Sequence, residues 1–209
     1  MRSDVPVLLF ARAPRPGATK TRLAPAVGPD GAAALYAAFV ADVRRTVDLA
    51  GLREELWVAH PDDAPAYDAP RLQAGETLGA RMSHALADAL RRADRALLIG
   101  TDAPTLPRGF LARAARALDT AEVVLGPSAD GGYYLIGARG SAPDLGGPAI
   151  RWSTPHALAD TRARVSGRRV ATLPPWYDVD TPEDLRLLRL HLALDPSAAP
   201  ATAAALAAF

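Results

Sequence analysis

Val5–Ala11 (VPVLLFA) is a continuous apolar run, and it leads directly into Arg12–Leu23 (RAPRPGATKTRL), a loop rich in proline, glycine and basic residues. A short run that is apolar at every position reads as a strand buried on both faces of a parallel sheet. Arg95–Gly100 (RALLIG) repeats the pattern and ends at Thr101–Asp102. Between them, Gly31–Ala50 sets Leu35, Phe39, Val43 and Val47 on one helical face, with Gly51 placed to close the helix. Glu55–His60 reads as a second strand, Pro61–Pro70 as an acidic loop and Thr77–Ala93 as a helix.

The same alternation continues outward. Arg108–Leu118 reads as a helix and Ala121–Gly126 as a strand. Tyr133–Ala138, entered through Asp130–Gly131–Gly132, reads as a further strand, close enough to its predecessor to pair antiparallel. After a Gly/Pro loop at Ser141–Pro148, Thr154 and Pro155 signal a helix with proline in its first position. Arg168–Leu173 reads as a strand. Thr181–Pro182–Glu183–Asp184 is a strong helix start, and the helix carries Leu185, Leu188 and Leu192. Strands alternating with helices predict an α/β, Rossmann-like single domain over residues 1–194, its mainly parallel sheet covered on both faces. Residues 195–209 read as an Ala/Pro-rich tail, frayed or weakly helical.

Composition removes several classes of function. The chain of 209 residues has no cysteine, which excludes disulfides, thiolate metal sites and cysteine nucleophiles. Its net charge of +1 offers no excess positive charge for nucleic acid or an anionic membrane. The N-terminal apolar run meets Arg12 too early for a membrane span or a secretory signal, so a cytoplasmic location is expected. His60, His84, His156 and His191 are scattered without metal-binding spacing. Of 24 basic residues only Lys20 is lysine, and Gln73 is the sole glutamine. A lysine that persists in so arginine-rich a chain points to a need for a compact ammonium.

Ligands of an open α/β sheet bind beyond the carboxyl ends of its strands. The loop after the first strand supplies Arg12, Gly17, Lys20 and Arg22 as candidate nucleotide-phosphate ligands. It matches neither a Walker A loop nor a GxGxxG turn. Asp102 stands at the end of the strand RALLIG, where a carboxylate suits Mg²⁺ or Mn²⁺. Asp178 and Asp180 straddle one residue, and one of them could join Asp102 on that metal while the other serves as a turn acid. Asp130 is a candidate base beside Gly131 and Gly132, although the same residues suit a tight turn. Gln73, Gly131, Gly132 and Tyr133 are candidates for the substrate pocket. Gly79–Met82 could line it too, although packing at a helix start explains them better.

FARAPRPGATKTRL, GTDAPTL, ADGGYYLIG and WYDVDTPEDL occur in that order over nearly the whole chain. Together they resemble a GT-A-type family of the nucleotide-diphospho-sugar transferase superfamily, labelled as glycosyltransferases and including an arsenosugar-biosynthesis type. More distantly, Thr19–Pro25 and the C-terminal DVDTPEDL are similar to phospholactate guanylyltransferase and to other nucleotidylyltransferases. The resemblance implies a GT-A fold, a nucleotide or nucleotide-sugar donor, a small-molecule acceptor and Mg²⁺ or Mn²⁺. It implies Lys20 and Arg22 on phosphate, with Asp102 and Asp180 on the metal. Lys20 and Asp130 are then the candidate catalytic groups. The expected activity is glycosyl transfer from an NDP-sugar. Nucleotidyl transfer with release of pyrophosphate is the alternative, and a non-catalytic nucleotide-binding module is a third reading. Asp-x-Asp, usual in GT-A glycosyltransferases, is replaced here by Thr101–Asp102–Ala103–Pro104.

Overall fold

Val7, Leu8 and Leu9 are each fully shielded from solvent, because strand β1 (Pro6–Ala11) lies inside the sheet with a parallel neighbour on each side. The computed structural model describes residues 4–209. In chain order the remaining elements are α1 (Ala24–Leu49), β2 (Arg53–Val58), β3 (Arg71–Leu72), α2 (Leu78–Leu90), β4 (Arg95–Ile99), α3 (Arg108–Ala117), β5 (Val123–Pro127) and β6 (Tyr133–Arg139). They are followed by α4 (Ala157–Arg164), β7 (Val170–Thr172), α5 (Pro182–Leu194) and α6 (Pro200–Leu206). The seven strands form one sheet in the order β3-β2-β1-β4-β6-β5-β7. All pairings are parallel except those of β6, which runs antiparallel between β4 and β5.

Alternation along each strand divides the core into two layers. Val7, Leu9, Leu97, Ile99 and Val124 face α1 and α3, against Val43, Val47, Leu111 and Leu118. Leu8, Trp57, Leu98, Leu125 and Ile136 face α2, against Met82, Ala85, Leu86 and Ala89. Both faces are covered, so the strands read as unbroken apolar runs. Gly137 sits where three strands crowd together, opposite Leu97 on β4 and Val124 on β5.

A third cluster lies outside these layers. Leu23, Leu35 and Phe39 pack with Val179, Leu185, Leu188, Leu192, Ala199 and Leu206. It seats α5 and α6 on the outer face of α1. The segment from Asp195, expected to be frayed or weakly helical, carries α6 and is packed here, and the buried carboxylate of Asp42 accepts hydrogen bonds from the amides of Ala201 and Thr202 at 3.1 and 2.7 Å. Those amides have no partner inside their own helix.

Several local expectations shift. The first helix begins at Ala24, not Gly31, and breaks at Gly28, whose φ of 74° leaves helical space. Pro29 then restarts it, as proline suits a first turn. Gly51 closes the helix with φ 69°. Strand β3 was not expected, since a two-residue strand carries no periodicity. Helix α4 starts at Ala157, two residues late: the Thr154 hydroxyl accepts from the His156 amide, so Thr154–Pro155 forms a preceding turn rather than the first helical residues. Thr181 does cap α5, completing a capping box with Asp184.

Two predictions test this packing. A side chain on Gly137 would bring its Cβ within 2.5 Å of Leu97 and 2.7 Å of Val124. Gly137→Val should therefore lower stability in urea unfolding by about 1–3 kcal/mol through overpacking. Asp42→Ala should weaken α6 by about 1 kcal/mol, the usual loss of a helix cap. It should speed amide exchange over residues 200–206 while leaving the sheet protected.

Candidate active site

Strands β1, β2 and β4 are parallel, so the loops after them open on the same edge of the sheet. The chain runs outward from β1 to β2 and β3 on one side, whereas β4 lies on the other. The crevice beside β1 and β4 is therefore a topological switch point, where ligands of such sheets bind. Antiparallel β6 enters from this edge and brings Tyr133 with it.

The loop after β1 is held by its own polar groups. Thr19, buried, donates its hydroxyl to the carbonyl of Ala13 at 2.8 Å and accepts from the Arg15 amide. Tyr36 of α1 ties this loop to the loop after β4: its hydroxyl accepts from the Arg12 amide at 2.9 Å and from the Thr101 hydroxyl at 3.0 Å. The loop after β4 is tied in turn to the segment before α5, where the Val179 amide donates to the carbonyl of Asp102 at 2.8 Å.

Lys20 stands where the three segments meet. Its ammonium lies 2.6 Å from Asp102 Oδ1, 2.7 Å from Asp180 Oδ1 and 2.8 Å from the Val179 carbonyl oxygen. The side chain is only 5% exposed. Burial alone would lower its pKa, but the neighbouring carboxylates of Asp102 and Asp180 outweigh burial and raise it above the usual lysine value. Arg22 reaches the other oxygen of Asp180 at 3.0 Å. Asp178 turns elsewhere and accepts from the Ser128 hydroxyl at 2.7 Å. Burial, together with Asp102, Asp130 and Asp180, raises the pKa of Asp178 to about 7 against the lowering pull of that hydrogen bond.

A cavity of about 560 Å³ opens over this cluster. Arg12, Lys20, Arg22, Gln73, Asp102, Tyr133 and Asp180 all border it. Gln73 donates its amide to the Trp57 carbonyl at 3.1 Å. Arg81 and Met82 also border it, although packing looked the better reading of Gly79–Met82. Packing does explain Gly79, where an added Cβ would lie 1.9 Å from the Leu145 carbonyl oxygen. Tyr36 and Ser153 are further lining residues. A tyrosine on a helix and a serine in a loop carry no sequence signal of such a role.

Other candidates do not border the cavity. Gly17 lies exposed in the first loop with φ 73°. Asp130 is exposed at the turn between β5 and β6, where its carboxylate accepts from the Gly132 amide at 2.9 Å. Gly131 has φ 88°, and a Cβ there would lie 2.3 Å from the Pro155 carbonyl oxygen, so its missing side chain makes room for protein backbone. Gly132 lies in the same turn.

No group of three or more His, Asp or Glu side chains fit to hold a metal occurs among the described residues. Two carboxylates, Asp102 and Asp180, do converge on one point. Mg²⁺ is commonly held by one or two carboxylates, the remaining ligands being water and substrate phosphates. The oxygen donors present fit such an ion.

Residues 38–154 match the family DUF2064, described as an uncharacterized protein conserved in bacteria. No curated protein matches the chain. A protein from Desulfovibrio desulfuricans G20, provisionally assigned as a nucleotide-diphospho-sugar transferase, is 33% identical, with a TM-score of 0.88 over 98% of this chain and 94% of its own. Rv0371c from Mycobacterium tuberculosis H37Rv, solved with manganese, is 21% identical with a TM-score of 0.53, over 90% of this chain and 98% of its own. CMP:2-keto-3-deoxy-manno-octonic acid synthetase, solved with CTP, is 16% identical with a TM-score of 0.53, over 92% of this chain and 100% of its own. The last two likenesses establish the fold. With that fold and these matches, the chain belongs to the bacterial DUF2064 family and has the GT-A-like architecture of nucleotide-using transferases.

Proposed function

We propose that this protein is a metal-dependent glycosyltransferase that takes a sugar from a nucleoside-diphospho-sugar and passes it to a small acceptor. One observation carries the reading. Two cationic side chains of one loop, Lys20 and Arg22, meet two carboxylates, Asp102 and Asp180, on the floor of a cavity large enough for such a donor. The provisional assignment of the Desulfovibrio protein supports the same class.

The chemistry asks for stabilisation of a departing nucleoside diphosphate. Lys20 offers a point charge and Arg22 a planar fork to phosphate oxygens. Arg12, at the mouth of the same loop, adds a third cation. Asp102 and Asp180 would hold Mg²⁺ or Mn²⁺, which supplies charge neutralisation on the diphosphate. Gln73 and Tyr133 border the part of the cavity left for the rest of the donor and the acceptor. Asp130 stays a candidate base only if an acceptor reaches the β5–β6 turn.

A second reading has its own support. Two cations on one short loop suit the triphosphate of an NTP as well as a diphosphate. The protein would then couple an NTP to a phosphorylated small molecule and release pyrophosphate. The released product, nucleoside diphosphate or pyrophosphate, separates the two activities.

Two variants test the shared core. A ligand at a hundred times its dissociation constant stabilises the native state by about 2.7 kcal/mol, which thermal unfolding reads directly. A panel of NDP-sugars and NTPs, each with and without Mg²⁺ or Mn²⁺, should yield one metal-dependent shift for the wild type. Asp102→Asn should abolish the metal-dependent part while keeping the fold, and full retention would remove Asp102 from the site. Lys20→Arg should lower kcat/KM at least tenfold, because a guanidinium does not fit where three acceptors enclose an ammonium. Wild-type turnover in that variant would show that the choice of lysine over arginine is an accident of composition.

A further inference from the structure

An ammonium has three N–H donors. On Lys20 all three have protein acceptors: Asp102, Asp180 and the Val179 carbonyl. None remains for a phosphate, and the side chain is 5% exposed. A Lys20 seated in this way cannot at the same time serve the phosphate of a donor. The acceptors it occupies include both carboxylates suited to a divalent cation.

One cation on two carboxylates leaves a single negative charge, partly offset by Arg22 on the outer oxygen of Asp180. A divalent ion added beside a seated ammonium would bring like charges together in a half-buried pocket, where Coulomb terms are strong. A divalent ion in place of the ammonium neutralises the pair outright. Lys20 also has φ 51°, a backbone conformation rare for a residue with a long side chain. Its three contacts compensate for that conformation in the seated state.

We propose that Lys20 is a resident counter-ion that exchanges with the divalent metal on Asp102 and Asp180. The inference rests on the reading of those two residues as metal ligands. Without metal, the ammonium offsets one of the pair's two negative charges and holds the loop after β1 against Asp102 and Val179. When a divalent ion takes the carboxylates, the two Lys20 donors they held are freed and become available to the phosphates of the incoming donor. Displaced into the pocket with no anion to meet, the ammonium would be left unpaired. Metal and nucleotide therefore favour each other's binding, and by linkage the effect is reciprocal. In this scheme Lys20 weakens metal binding on its own and strengthens it in the presence of phosphate. A lysine held away from both carboxylates would not compete with a metal for them.

The test is Mn²⁺ alone, without nucleotide, titrated against the intact protein and read by the electron paramagnetic resonance of free Mn²⁺. Lys20→Met should bind Mn²⁺ at least tenfold more tightly than the wild type. The gain should vanish in the Lys20→Met/Asp102→Asn double variant. Should Lys20→Met fail to fold, Lys20→Gln removes the same charge while keeping polar contacts and gives the same comparison. Equal or weaker Mn²⁺ binding without the lysine charge would overturn the exchange, as would a gain that survives loss of Asp102. If the wild type still shows a metal-dependent shift with one nucleotide in that case, the proposed function stands and only the exchange falls. Absence of both overturns the two together.

Discussion

The structure of the site depends on one buried ammonium. Lys20 binds Asp102, Asp180 and Val179, so it joins the loop after β1 to the loop after β4 and to the entrance of α5. Buried charges are tolerated when paired and fully hydrogen-bonded, and removing one partner strands the others. Each contact also fixes a backbone: Val179 is wholly buried, and its amide returns to the Asp102 carbonyl. Electrostatics and main-chain hydrogen bonds thus specify the same geometry.

The sheet makes that meeting possible. Parallel β1 and β4 are neighbours, so Asp102 emerges beside the loop that carries Lys20. Asp180 arrives from the far end of the sequence because the third apolar cluster draws α5 onto α1. The capping box of Thr181 and Asp184 starts α5 immediately after Asp180, which limits where that carboxylate can lie. Helix α6, capped by Asp42, covers the outside of the same cluster. A tail remote from the cavity therefore supports the helix that positions one of its acids.

Fold and function separate at this point. Proteins only 16–21% identical to this chain share its architecture, at TM-scores near 0.53. The Desulfovibrio relative follows it far more closely, at 0.88. A common sheet hosts several chemistries, and the loops at its carboxyl edge decide among them. Here those loops place cations and carboxylates in direct contact.

Most strands and helices were legible because local chemistry marks them. Residues 5–11 and 96–100 are apolar throughout, since both faces of the sheet are covered. Thr181, Pro182 and Asp184 mark a helix start through hydrogen bonds made within four residues. The lone lysine and the acids at positions 102, 178 and 180 also stood out by residue type and place. Which acid faces Lys20 did not, because the spacing of Asp178 and Asp180 suits either. Tertiary structure turned Asp178 to Ser128 and Asp180 to Lys20. It likewise placed Asp130 at an exposed turn and set Gly131 against Pro155, although their sequence also allowed a ligand loop. Local signals determine where a strand ends and which residue types stand there. Only packing between segments about 160 residues apart decides which of those side chains share a pocket, since long-range contacts leave no periodic trace in the chain.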